Sequence, residues 1–220
     1  MAALGANVPS GTVRAVKRRV RRHTNPFNLR DVPERPDWRA VFGRTAPLEL
    51  EIGFGGGKFL LERARAAPEV DLVGMDVRRG LFEAVNERIA RAGLRNVHLM
   101  AASANAALEA VFGAGELARV YVFFPDPWFK KRHHKRRVVT ETFLRALHPR
   151  LAPDGELHVA TDQEALAREM LALAEAHGGF RNTAGPGRFA PGNTTGIVTE
   201  TEAYYVKVGR PVWYARFVRT

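Results

Sequence analysis

From residue 47 onward, apolar and polar positions follow a repeating plan. Leu48-Glu49-Leu50-Glu51-Ile52 alternates and then meets a glycine cluster, Gly53 to Gly57, which reads as a strand and a turn. Helical spacing follows over 58–67. Residues 70–77 predict a second strand and 81–92 a helix, with Leu81, Val85, Arg88 and Ile89 on neighbouring turns. A short strand at 97–100 and a helix at 104–112 come next. The apolar run 119–124 reads as a strand stopped by Pro125. Residues 138–148 read as a helix ended by Pro149 and Pro153, followed by a strand at 157–160 and a helix at 163–177. Residues 180–195, rich in Gly, Asn and Thr, predict a loop. Residues 206–218 predict a pair of closing strands. Strands alternating with helices imply βαβ units on a parallel sheet, with ligands at the strands' carboxyl ends.

Residues 1–46 do not share this plan. Gly, Pro and Arg are frequent there, and Arg14, Lys17, Arg18, Arg19, Arg21 and Arg22 cluster. The segment reads as a basic, partly flexible extension, either solvated or ordering on a phosphate backbone. The organisation expected is an N-terminal extension over 1–46 and one domain over 47–220.

Composition narrows the partner. The 220 residues carry 34 Lys+Arg against 23 Asp+Glu, a net charge of +11, and arginine predominates. That balance favours a polyanion, most simply a nucleic acid. An Arg-rich compositional bias would raise the charge without any partner. Cysteine is absent, which excludes disulfide scaffolds, thiolate metal sites and cysteine nucleophiles. No apolar run reaches the roughly 18 residues of a membrane span. Weak hydrophobicity precedes the N-terminal charge, the wrong order for a signal peptide. A soluble, cytoplasmic protein is expected, with no membrane partner.

Three nucleotide-binding templates compete for the glycine loop. A phosphate loop requires Gly-Lys-Ser/Thr, but Phe59 follows Lys58. The dinucleotide fingerprint fits Gly53 and Gly55 but meets Lys58 at its third glycine. The Glu/Asp-x-Gly-x-Gly-x-Gly loop of S-adenosylmethionine methyltransferases fits at Glu51, Gly53, Gly55 and Gly57. Asp76 ends the second predicted strand, where a carboxylate can accept both ribose hydroxyls. NAD enzymes share that acid, so it indicates a nucleoside rather than methyl transfer.

The stretch Phe123-Phe124-Pro125-Asp126-Pro127-Trp128 starts as a strand and leads into Phe129-Lys130-Lys131-Arg132-His133-His134-Lys135-Arg136-Arg137. Two prolines restrict the backbone around Asp126 and hold its carboxylate stiffly. An acid followed by a planar aromatic can bond the N–H edge of a base and cover its face. Six of the eight residues from Lys130 to Arg137 are cationic, which suits phosphate contacts. His133 and His134 lack a third ligand at metal spacing, so no metal is expected.

These residues resemble the tRNA (guanine-N7-)-methyltransferase family. The Phe-Pro-Asp-Pro-Trp run with its basic tail is close to that family's signature. Glu51-Ile52-Gly53-Phe54-Gly55, Ala160-Thr161-Asp162 and Thr199-Glu200-Thr201-Glu202 support it. The resemblance spans about residues 47–218 and implies a Rossmann-like class I methyltransferase fold, a seven-stranded, mostly parallel sheet with helices on both faces. It implies methyl transfer from S-adenosylmethionine to N7 of a guanine in the tRNA variable loop, conventionally guanine 46. By that resemblance Glu51, with the glycine loop at Gly53 and Gly55, meets the methionine end of the cofactor, and Asp76 meets the ribose. Ser103 or Asn105 meets the adenine, because Ser103-Ala104 replaces the family's Asp/Asn-Ala. Asp126 lies between cofactor and guanine. Lys130, Asp162, Thr199, Glu200, Thr201 and Glu202 face the RNA, as does a basic patch of Lys131, Arg132, Lys135, Arg136 and Arg137. The family's aromatic is replaced at Thr201.

Read without the resemblance, Thr161-Asp162 is a strand end with a helix cap, and Thr199 with Glu202 fits a capping box. Two other functions compete: an amino-group methyltransferase of the N6-adenine type, and a noncatalytic RNA-binding module with a degenerate cofactor site. A monomer or a homodimer is expected.

Overall fold

A computed structural model describes residues 25–26 and 32–220 of the chain. The basic cluster between Arg14 and Arg22 lies outside the described residues. Among them, seven strands form one sheet in the order β3-β2-β1-β4-β5-β7-β6. Strands β1 (Leu48–Ile52), β2 (Asp71–Asp76), β3 (Val97–Ala101), β4 (Leu117–Phe123) and β5 (Leu151–Thr161) run parallel. Strand β7 (Trp213–Arg219) pairs antiparallel with both β5 and β6 (Phe180–Asn182). The predicted class I architecture is therefore present.

Alternation in β1 determines how the two faces are covered. Leu48, Leu50 and Ile52 enter the main core with residues of α4 (Ala104–Val111), α5 (Glu141–Leu147) and α6 (Glu164–Ala176). The opposite face is covered by α2 (Lys58–Ala66) and α3 (Phe82–Arg91). Leu60 and Ala64 meet Leu72 there, and Leu61, Val85 and Ile89 meet Phe54.

Glu49 points into this second face and is fully buried. Its oxygens accept from Arg63 Nε and Nη2 at 2.8 and 2.6 Å, from Arg119 at 2.7 Å and from the Tyr121 hydroxyl at 2.9 Å. Burial pushes the Glu49 carboxyl up, but the bonds from Arg63 and Arg119 outweigh it and hold it below its usual range. A buried charge persists only with such saturation.

Three expectations are corrected. Residues 206–218 do not form two strands. Glu200–Lys207 is a helix, α7, ended near Gly209, and only Trp213–Arg219 is a strand. The second antiparallel partner is β6, inside the stretch read as a loop. Finally, the boundary at residue 46 falls too late. Helix α1 (Trp38–Phe42) inserts Trp38 into the main core, its ring stacked 5.4 Å from Phe112. No helix of the described residues is long and apolar enough to cross a membrane.

Candidate active site

The carboxyl ends of β1, β2 and β4 surround a cleft of about 700 Å³. Its walls include Glu51, Asp76, Ser103, Asn105, Asp126 and Glu200. The cleft therefore gathers residues that lie far apart in the chain.

The glycine loop bends sharply because Gly53, Gly55 and Gly57 all have positive φ. At Gly57, the N-cap position of α2, a Cβ would stand 2.7 Å from Val85. Gly53 N–H donates to Met75 O at 2.7 Å, tying the loop to β2.

Glu51 is the most perturbed acid of the cleft. It is buried, and its Oε2 has no hydrogen-bond partner in the structure. Burial, then the neighbouring charges of Asp76 and Glu200, pushes its pKa up to about 8. An uncompensated carboxylate in a cleft calls for a cationic donor. The ammonium of an amino-acid moiety meets that need, so the residues present fit S-adenosylmethionine.

Asp76 is buried at the end of β2. Gly55 N–H reaches its Oδ2 at 3.3 Å. Arg78, which sequence reasoning did not single out, grips it through Nε at 3.0 Å and Nη2 at 2.7 Å. Only its spacing two residues past the acid could have suggested it. Ser103 occupies the N-cap position of α4 but makes no side-chain cap. Asn105 Nδ2 donates to Arg137 O at 2.8 Å, so this side chain also anchors the basic segment.

Asp126 follows β4 in a loop whose ends are both strained. Phe124 and Trp128 have φ of 50° and 43°, a region that ordinary side chains rarely adopt. Trp128 lines the cleft. Its ring lies edge-on to His133 at 5.8 Å and beneath the Arg136 guanidinium at 5.0 Å.

The basic run divides by burial. Lys130, Lys131, Arg132 and Lys135 are exposed, the last three on a 3-10 turn over 131–136. Arg136 covers Trp128 instead of standing free. Arg137, expected in the basic patch, is 8% exposed and engaged inside the protein. It pairs with Glu169 and donates to Pro127 O at 2.8 Å, bracing the Asp126 loop from behind.

The two acidic segments at the other end of the sheet divide in the same way. Asp162, at the end of β5, is buried, accepts from Gln163 Nε2 at 2.5 Å and pairs with Arg210 at 3.4 Å. The cap of α6 is Gln163, not Thr161 or Asp162, and its side chain makes no cap bond. Thr199 and Glu202 form a complete capping box at α7. Glu202 is buried and accepts from Asn193 at 2.9 Å and from the Tyr214 hydroxyl at 2.6 Å. In this structure Glu202 therefore serves the start of α7 and its neighbours Asn193 and Tyr214. Thr199, Glu200 and Thr201 do line the cleft.

A family model described as "Putative methyltransferase" matches residues 45–215. A tRNA (guanine-N(7)-)-methyltransferase of Pseudomonas aeruginosa is 40% identical over 193 residues, 88% of this chain and 79% of the relative. Its counterpart in Thiobacillus denitrificans is 38% identical over 212 residues, 96% of this chain and 91% of the relative. Among solved structures, the 16S rRNA methyltransferase KamB superposes with a TM-score of 0.63 at 17% identity, over 87% of this chain and 97% of that one. The 16S rRNA (adenine(1408)-N(1))-methyltransferase W203A mutant of Catenulisporales acidiphilia, solved with cosubstrate SAM, gives 0.57 at 18% identity, over 84% and 90%. Those structural likenesses carry the fold, and the closer sequence relatives carry the family. With 40% and 38% identity to these two relatives over most of its length, the chain belongs to the tRNA (guanine-N(7)-)-methyltransferase family.

Proposed function

We propose that this protein methylates N7 of a guanine in the variable loop of tRNA, using S-adenosylmethionine. The observation that carries the reading is the convergence of Asp126 with Glu51 and Asp76 on one cleft, from which the chain runs through Trp128 into the exposed cations Lys130, Lys131, Arg132 and Lys135. Glu51 holds the methionine end of the cofactor, Asp76 the ribose, and Ser103 with Asn105 borders the adenine side. When bound, the cofactor supplies an electrophilic methyl group.

Guanine N7 offers a lone pair and carries no proton, so the chain supplies no general base. Its work is alignment. Asp126 accepts from the N1–H and N2–H edge of guanine and turns N7 toward the methyl. As a carboxylate it also stabilises the positive charge that develops on the purine. Its prolines and the two left-handed residues fix that carboxylate before substrate arrives, so little reorganisation is left to the reaction. Arg137 preserves the loop by holding Pro127. Lys130, Lys131, Arg132 and Lys135 face the phosphate backbone, and Thr199 and Thr201 border the entrance.

The test is incubation with labelled S-adenosylmethionine and unmodified tRNA, followed by mapping of the methylated nucleoside. The expected result is 7-methylguanosine confined to the variable loop and lost in Asp126→Ala. Label on an exocyclic amine would assign the protein to the amino-group class. Salt-sensitive tRNA binding without label would make it a binding module.

A further inference from the structure

The segment Thr199–Glu202 resembles an RNA-facing motif, yet Glu200 sits against the cofactor loop. A Cβ added at Gly56 would stand 2.5 and 2.9 Å from the two Glu200 oxygens and 3.0 Å from Cδ. The Glu200 carboxylate therefore lies directly over the Gly56 backbone, in space that a side chain at this position would share. Arg88, from α3, donates to Gly56 O and lies 3.7 Å from Glu200. One residue before the α7 cap, Val198 O accepts from Lys58 Nζ at 2.6 Å, and the same ammonium pairs with Glu62 at 2.7 Å. The capping box then fixes the direction in which α7 leaves. Contacts from α2 and α3 thus tie the start of α7 to the cofactor loop beside Glu200.

We propose that Glu200 belongs to the cofactor site and, together with Glu51, selects cationic S-adenosylmethionine over its neutral thioether product. This inference rests on the functional reading above. The donor carries an ammonium, a carboxylate and a sulfonium, for one net positive charge. In the transfer the carbon–sulfur bond breaks and a carbon–N7 bond forms. The positive charge passes to the purine, and S-adenosylhomocysteine is left with no net charge. A carboxylate on the glycine loop therefore attracts donor more than product. Arg88 offsets part of this, and the Glu200 side chain is 42% exposed, so the preference is modest. Glu200 also adds, after burial and Asp76, to the push that raises the Glu51 carboxyl.

Calorimetry on the full chain tests this at fixed pH and ionic strength, with S-adenosylmethionine, S-adenosylhomocysteine and 5′-methylthioadenosine as probes. Glu200→Gln is expected to weaken the first about five-fold and the second less than about two-fold, leaving the third unchanged. Glu200→Asp, which keeps the charge, is expected to retain the preference. Equal weakening of all three probes would mean a merely structural role for the loop and would overturn the proposal. So would unchanged binding, or a loss confined to tRNA affinity. A wild-type protein that binds none of the three would overturn the functional reading and this proposal with it, a result distinct from any change seen only in the variants.

Discussion

Glu51 makes the fold pay for its cleft in a way that depends on pH. Its pKa rises from 4.5 to about 8 on burial, while in the unfolded chain it stays near 4.5. Between those values the native state holds a proton that the unfolded state has released. Stability therefore falls as pH rises through this window, is free of the cost below about 4.5, and bears all of it above about 8. Each pKa unit is worth about 1.4 kcal/mol, so the full cost is on the order of 4–5 kcal/mol. Glu51→Gln removes the titration but keeps the shape. Urea unfolding of both proteins at pH 5 and pH 8.5 is the assay. Near pH 5 the two should differ by less than about 1 kcal/mol. At pH 8.5 the variant should be more stable by several kcal/mol. A stability difference independent of pH would refute the claim that this carboxyl is desolvated and uncompensated.

Ligand binding gives the same group a second signature. If Glu51 meets an ammonium, S-adenosylmethionine binding at pH 7 should release about one proton, visible as a dependence of calorimetric enthalpy on buffer ionisation and absent in Glu51→Gln. Asp126→Asn should lower kcat about 100-fold while changing cofactor Kd less than about two-fold, and equal losses in both would remove its aligning role. Gly57→Ala forces φ 76° on a residue with a Cβ and drives that atom against Val85. It should cost ~2–4 kcal/mol in denaturant unfolding, with cofactor binding lost in parallel. Within the basic run, Lys131→Ala and Arg132→Ala should each reduce the salt slope of tRNA binding by about 0.7–0.9 at unchanged stability. Arg137→Met should do the reverse, costing ~2–3 kcal/mol of stability with the slope unchanged.

The parallel half of the sheet was legible because each strand there is followed by a glycine or proline break and an amphipathic helix. Leu48–Ile52 before Gly53, and the apolar strand before Pro125, needed no tertiary information. The antiparallel end was not legible. Val206, Val208, Val212, Trp213 and Tyr214 favour strand one by one, yet the capping box at Thr199 starts a helix that runs through Val206. Phe180–Asn182 is too short for a periodic signal and becomes a strand only through its pairing with β7. Trp38 looked like part of a tail because its partner Phe112 lies far along the chain.

The same distinction, between a residue's type and the partners it finds, governs the site. Spacing brought out a set of acids, and all of them are negative side chains near strand or helix ends. The structure separates them by how far their oxygens are already used. Glu202 is consumed by Asn193, Tyr214 and its own helix start, and Asp162 receives Gln163 and Arg210. Arg137, indistinguishable in sequence from Arg136, is likewise consumed by Glu169 and Pro127. Glu51 alone of these acids keeps a buried oxygen with no hydrogen-bond partner in the structure, and Glu200 meets its cation only at 3.7 Å. Desolvation is costly unless something compensates it. An acid held in a cleft with its pairing incomplete is therefore the candidate for a ligand contact. Under the proposed function, Glu51 and Glu200 are the acids left to recognise a cationic donor, while Glu202, despite its match to the motif, holds the start of the helix that carries Glu200.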